Sequence, residues 1–140
     1  MLRILAFDVG ERRIGVAVSD LLGITAQGIE TYTRTDNLEQ DVKHLLKLAE
    51  SYHPVKLLFG MPRNMDGSYG MQADYTRAFA DAVLAQWDGE YAFQDERLTT
   101  ASARRMLIEA DMRRDKRKQV IDKVAAVLIL QSYLDAHGNT

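Results

Sequence analysis

The order of elements in this sequence predicts an α/β fold on one mixed sheet of five strands, three antiparallel and then two parallel, flanked by helices. Residues 3–33 hold three β-patterned segments joined by short turns. Two further short apolar runs follow, each reached through a segment of helical periodicity, and a strand reached by a helical crossover is expected to lie parallel to its neighbour. At 140 residues, with 46% hydrophobic and 27% charged, the chain has the size and balance of a single globular domain spanning 1–140.

Arg3 to Val9 reads as a strand apolar on both faces. Arg13 to Ser19 alternates Ile14, Val16 and Val18 with Gly15, Ala17 and Ser19, and Gly10-Glu11-Arg12 is short enough to close a hairpin between them. A third strand is expected from about Ile24 to Thr33, after the turn at Leu22-Gly23. Asp36 or Asn37 caps a helix whose apolar positions Leu38, Val42, Leu45, Leu46 and Ala49 recur at helical spacing, and His53-Pro54 stops it. Val55 to Gly60 is a nearly all-apolar strand that opens into the turn-rich Met61–Gly70 segment. A helix from Met71 to Trp87 leads to a strand from Glu90 to Gln94, then to a helix over about Thr100–Ala110. The basic stretch Met112 to Lys118 is expected to link this to a last helix from Gln119 to Ala136, stopped by Gly138.

Composition excludes several functions. There is no cysteine, so a metal would be held by carboxylate, imidazole, carbonyl or water rather than thiolate. No segment approaches the roughly 20 apolar residues of a membrane span, and no signal-peptide layout precedes Asp8, so a cytoplasmic location without a membrane partner is expected. The net charge is only -2, yet residues Arg97 to Lys123 carry nine basic side chains against four acidic ones. Such a local excess on an otherwise acidic chain suits a polyanion partner, although a solvated helix surface would look the same.

Three carboxylates stand beside core segments. Asp8 ends the run Ile4-Leu5-Ala6-Phe7, Glu96 follows Tyr91-Ala92-Phe93, and Asp122 opens the apolar helix Val120-Ile121…Leu130. Asp122 precedes Ala125, Ala126, Ile129, Leu130 and Tyr133 at the spacing of one helical face, and the two alanines would let that helix approach the sheet closely. Each acid also has a plain structural reading: a turn-former at Asp8, a surface partner of Arg97 or Arg104 at Glu96, a dipole-compensating first-turn residue at Asp122. Brought together at the carboxyl ends of strands, they would repel one another and be relieved by Mg²⁺ or Mn²⁺. Adjacent strand residues face opposite ways, so Asp95 and Glu96 cannot both enter such a site; Glu96 is the choice and Asp95 the substitute. His44, His53 and His137 lack metal-ligand spacing, and Trp87 and the tyrosines read as packing residues.

Four segments, Phe7-Asp8-Val9-Gly10-Glu11-Arg12-Arg13-Ile14-Gly15-Val16-Ala17-Val18-Ser19-Asp20, Gly60-Met61-Pro62-Arg63-Asn64-Met65-Asp66-Gly67-Ser68, Asp95-Glu96-Arg97-Leu98-Thr99-Thr100 and Lys116-Arg117-Lys118…Asp122-Lys123-Val124-Ala125-Ala126, closely resemble the bacterial YqgF-type family. That family is described both as Holliday junction resolvases and as nucleases that mature the 5′ end of pre-16S ribosomal RNA. The resemblance covers nearly the whole chain; Gly60-Met61-Pro62 stands where the family has Gly-Leu-Pro, a volume-conserving change. It implies a ribonuclease H-like fold, a cytoplasmic location and catalytic, metal-holding acids at Asp8, Glu96 and Asp122. The expected chemistry is in-line hydrolysis of a phosphodiester, with Asp8 shared between two Mg²⁺ (or Mn²⁺) ions about 4 Å apart.

Arg12, Arg13, Arg97, Arg104, Arg113, Arg114, Lys116, Arg117 and Lys118 are the expected contacts to a nucleic-acid backbone. Precursor ribosomal RNA is the expected substrate, with the ribosome as an associated partner. A four-way DNA junction is the alternative, and so is a binding protein that does not cleave. A junction resolvase must act on two strands symmetrically, which favours a homodimer; a monomer suffices for RNA. An actin-like ATPase reading of Asp8-Val9-Gly10 is disfavoured, because the second phosphate loop of that class is missing.

Overall fold

The structure is a computed structural model that describes residues 2–61, 70–95 and 114–137, of which 71, 72, 95 and 114–122 are described as backbone alone. Five strands, β1 (Arg3–Val9), β2 (Arg13–Ser19), β3 (Ala26–Thr33), β4 (Val55–Met61) and β5 (Tyr91–Asp95), form one sheet in the order β3-β2-β1-β4-β5. β1, β2 and β3 pair antiparallel, and β4 and β5 join parallel to β1, as the sequence predicts. Three helices complete the described chain: α1 (Leu38–Ser51), α2 (Met71–Leu84) and α3 (Arg114–His137).

Strand alternation divides the core in two. Leu5, Phe7 and Val9 of β1, with Ile14, Val16, Val18, Leu57 and Phe59, face α1 and α2 and pack on Val42, Leu45, Phe79 and Val83. The other face carries Ala6, Ala17 and Leu58, covered by Ala126, Ile129, Leu130, Tyr133 and Leu134 of α3. The strands β1 and β4 read as continuous apolar runs because both of their faces are covered. On the α3 side the alanines Ala6, Ala17, Ala26 and Ala92 surround Leu58 and Ile4, and these small side chains let a helix sit close to the sheet. At Gly28 of β3 the approach is so near that a Cβ would fall 2.7 Å from the Lys123 side chain.

Element ends depart from the sequence expectation where local hydrogen bonds compete with the periodic pattern. β3 starts at Ala26 rather than Ile24, because residues 20–25 form a turn tied to the Asp20 carboxylate, which accepts from the amides of Ile24 (2.8 Å) and Thr25 (3.4 Å). Gly23 turns this corner at φ 71°, a left-handed value glycine adopts without strain. At α1, Asn37 is the cap, its side chain accepting from the Gln40 amide at 3.1 Å. β4 runs one residue further, to Met61, and β5 is shifted to Tyr91–Asp95, with Glu90 giving only its carbonyl to the Leu57 amide. α2 stops at Leu84: the Ala85 amide still reaches the Asp81 carbonyl, but the amides after it turn back to carbonyls three residues behind, Gln86 to Val83 and Trp87 to Leu84.

The larger correction concerns α3. The basic stretch expected as a linker up to Lys118 is helical from Arg114, so the helix gains more than a turn at its start. Arg, Lys and Gln are good helix formers with no glycine or proline among them, and a turn that projects beyond the core needs no apolar stripe. The expected helix over Thr100–Ala110 and the stop at Gly138 lie outside the described residues.

Candidate active site

Asp8 is the sixth residue of a strand whose parity is set by the core. Since Leu5, Phe7 and Val9 face α1 and α2, the residues between them, Ile4, Ala6 and Asp8, face α3. The carboxylate therefore stands half-buried on the α3 side, near the carboxyl end of β1. Its register partner on β2 is Gly15. On the other side, one step beyond the Phe7–Phe59 pair, lies Gly60, which in turn pairs with Gln94 of β5. Asp8 is thus flanked by glycine on both neighbouring strands, and both glycines are buried.

The polarity of α3 brings a second predicted acid to the same end. Toward the C-terminus of the helix, Tyr133 accepts at its hydroxyl from Lys56 Nζ (2.6 Å), near the start of β4. Gln131 accepts from the Ala26 amide (3.1 Å) and donates to the Ile24 carbonyl (2.9 Å) at the start of β3. These contacts sit at the amino end of β1 and β4, so α3 runs against β1 and its N-terminal half lies toward Asp8. Ala126 packs with Ala6 and Ala17 midway. The Asp122 backbone is one turn further, on the Asp8 side. Residues 114–118 continue about 6–12 Å past it at 1.5 Å per residue.

Of the predicted metal-holding acids, Asp8 alone has a described side chain. Asp122 is described as helix backbone, Asp95 is the last residue of β5 opposite Met61, and Glu96 lies outside the described residues. Among the described residues, no group of three or more His, Asp or Glu side chains could hold a metal ion. What the described part offers is one half-buried hard carboxylate between two glycines, a donor that fits Mg²⁺ or Mn²⁺, which take few protein ligands and keep their waters. Among the predicted nucleic-acid contacts, Arg12 is exposed and Arg13 half-buried on the hairpin that follows Asp8. Arg114, Lys116, Arg117 and Lys118 form the first turns of α3, while Arg97, Arg104 and Arg113 lie outside the described residues.

Sequence reasoning missed the residues that hold the backbone behind Asp8. The Val9 carbonyl accepts from Thr76 Oγ1 of α2 (3.2 Å), and the Gly10 carbonyl accepts from Arg34 Nη1 (2.9 Å). Behind Arg34 is Asp41, buried on α1, whose Oδ1 accepts from the Tyr32 hydroxyl (2.8 Å), the Thr35 amide (2.9 Å) and the Thr35 hydroxyl (2.9 Å). Burial alone would raise the Asp41 pKa, but these hydrogen bonds and the Arg34 charge outweigh it and hold the carboxyl below its ordinary value. Burial and the bond to Asp41 push the Tyr32 phenol up to about 12. A local signal did exist at Asp41, an acid in the first turn of α1, but it reads equally well as a dipole partner.

The histidines stand apart from this end. His44 is on α1, across the sheet from Asp8, where Nε2 lies 2.8 Å from Glu30 Oε1 and the ring stacks on Tyr32. His137 stacks on Tyr133 at the far end of α3, and His53 precedes the start of β4. Trp87 donates from Nε1 to the Glu90 carbonyl (3.1 Å) and packs against the α1/α2 core, as a structural residue would.

Comparison with known proteins defines the class. Thermus thermophilus RuvC, solved in complex with a Holliday junction substrate, superposes with a TM-score of 0.62 over 100% of this chain and 99% of its own, at 9% identity. That likeness shows the fold, and the fold is ribonuclease H-like. The family model described as RuvX, Holliday junction resolvase, matches residues 2–136. Relatives named "Putative pre-16S rRNA nuclease" include one from Heliobacterium modesticaldum, 49% identical over 99% of this chain and 92% of the relative. Another, from Halalkalibacterium halodurans, is 50% identical over 96% of each. The chain belongs to the RuvX family, which is the YqgF-type family its motifs resemble. Among the described residues, no helix is long and apolar enough to cross a membrane.

Proposed function

We propose that this protein is a divalent-metal-dependent nuclease that hydrolyses phosphodiester bonds, with Asp8, Glu96 and Asp122 as its acids. One observation carries the chemistry: Asp8 stands on the α3 face at the carboxyl end of β1 between Gly15 and Gly60, with the N-terminal half of α3 directed toward it. In β5 Ala92 packs on the α3 side and Phe93 on the other, so the even-numbered positions of that strand share the face of Asp8, and a regular continuation favours Glu96 over Asp95 as the partner acid.

Asp8, Glu96 and Asp122 would hold Mg²⁺ or Mn²⁺, which when bound activates water and offsets charge on the leaving oxygen. The chain's own contribution is to hold Asp8 on a β-strand, with glycine rather than a side chain opposite it on both neighbouring strands. Arg12 and Arg13 follow on the hairpin, and Arg114, Lys116, Arg117 and Lys118 line the overhanging start of α3. Together with Arg97, Arg104 and Arg113 they supply positive charge along which a nucleic-acid backbone tracks.

Precursor 16S ribosomal RNA is the substrate the relatives' names favour, which would bring the protein to the ribosome in the cytoplasm. The family description favours a second reading, cleavage of four-way DNA junctions, for which a homodimer is expected. The test is to incubate the protein and Asp8→Asn with labelled precursor ribosomal RNA and with a synthetic four-way junction, with Mg²⁺, Mn²⁺ or chelator. Cleavage by the parent alone, with metal alone, is expected. Cleavage of neither substrate with salt-sensitive binding retained would make it a binding protein instead.

A further inference from the structure

We infer that Arg34 is a positioning residue for Asp8, a strut that locks the corner after the acid and is itself aimed by Asp41. This inference rests on the reading of Asp8 as a catalytic acid. The corner is tight: the Gly10 amide donates to the Arg13 carbonyl at 2.8 Å, and a Cβ on Gly10 would lie 2.8 Å from that same oxygen. The corner is held from outside by Arg34 twice, through Nη1 to the Gly10 carbonyl (2.9 Å) and through its own amide to the Arg12 carbonyl (2.8 Å).

The guanidinium is fixed on its other sides. It lies over the Phe79 ring of α2, 4.9 Å from the centroid, and its Nε is 3.7 Å from Asp41 Oδ2. Among the described residues that buried oxygen has no hydrogen-bond donor, and the adjacent positive charge is what offsets its burial. Asp41 in turn is clamped through Oδ1 by Tyr32 and Thr35. Such a chain from α1 through β3 to the hairpin does more than pack, since apolar residues could fill the space at lower desolvation cost. What it provides is directional restraint on residues 10 and 12, next to the acid that must not move as charge gathers. A lysine cannot replace the fork, since one ammonium cannot address the Gly10 carbonyl and Asp41 together.

The experiment uses the full chain with Arg34→Lys, Asp41→Asn and Asp8→Asn. Asp41→Asn keeps an Oδ1 acceptor for Tyr32 and Thr35 and replaces the anionic oxygen beside Arg34 with a neutral NH₂ donor, so the contact that aims Arg34 is lost. Amide exchange is followed by NMR, and cleavage is measured on precursor ribosomal RNA and the four-way junction with Mn²⁺. The expected result is faster exchange of the Gly10 amide in Arg34→Lys and Asp41→Asn with exchange in β4 unchanged. kcat is expected to fall about 10- to 100-fold at nearly constant KM, the signature of a misplaced group rather than a lost binding contact. Parent-like Gly10 exchange, or parent-like kcat in a preparation where Asp8→Asn is dead, overturns the strut while the nuclease reading stands. If the parent cleaves neither substrate, the nuclease reading falls, and Gly10 exchange by itself upholds or overturns the restraint.

Discussion

Asp8 and Gly15 are directly opposed across the β1–β2 ladder, so any side chain placed at residue 15 would project on the same face as the carboxylate. Gly15→Val is therefore expected to place two methyl groups beside Asp8, at the usual cross-strand spacing of about 5 Å. Gly15 is buried, so the added side chain is also expected to lower the melting temperature, while metal-dependent cleavage measured well below the transition falls at least about 100-fold. A fully active Gly15→Val would show that glycine opposite Asp8 has no part in the reaction.

The alanines beneath α3 should be equally intolerant, for a packing reason. Ala126 is fully buried against Ala6 and Ala17, so Ala126→Leu must lift the helix or force strained rotamers. Overpacking of this kind costs about 1–3 kcal/mol. Because the lifted helix carries Asp122, activity is expected to fall further than the stability loss alone explains. Denaturant melts paired with cleavage rates measured well below the transition separate the two effects.

The Tyr32–Asp41 pair predicts how stability depends on pH at both extremes. The Tyr32 phenol is raised from 10.0 to about 12, so its contribution is fully present below pH 10 and is lost as pH rises through about 12. Asp41 is depressed from 3.8, so its contribution is present above that value and disappears as pH falls through the lower folded-state pKa. Tyr32→Phe should remove the alkaline loss and cost about 1–3 kcal/mol at neutral pH, as expected for a hydrogen bond to a charged acceptor. Urea melts of both proteins between pH 9 and about 12 check the sign.

Charge reversal at the start of α3 tests the proposed phosphate contacts. Arg117→Glu with Lys118→Glu is expected to weaken nucleic-acid binding, leave the melting temperature within a few degrees, and lessen the slope of log K against log salt by about 1.5–2. Titrations at several salt concentrations read this directly. An unchanged slope would remove this turn from the binding face.

Much of the sheet is a local property of the chain. β1 and β2 are bounded by their own hydrophobic patterns at the predicted residues, Asn37 caps α1 by its own side chain, and two helical crossovers dictate that β4 and β5 run parallel. Asp8 stood out as a candidate because a charge closing an apolar strand needs compensation wherever the strand goes. The start of α3 was hidden because the basic turns before Gln119 carry no apolar period, and helix propensity without burial leaves no pattern to read.

The surroundings of Asp8 were decided by the tertiary structure. Gly60 adjoins it only because β4 takes its place beside β1 in one register, and Asp122 nears it in backbone only because α3 runs against that strand. Arg34 meets Gly10 across 24 residues and Asp41 across a chain reversal. Periodicity along a sequence reports which face a residue takes, because alternation is a local geometric rule. Which residues face each other across strands and helices depends on register and packing angle, and those follow from the joint burial of both faces of the sheet.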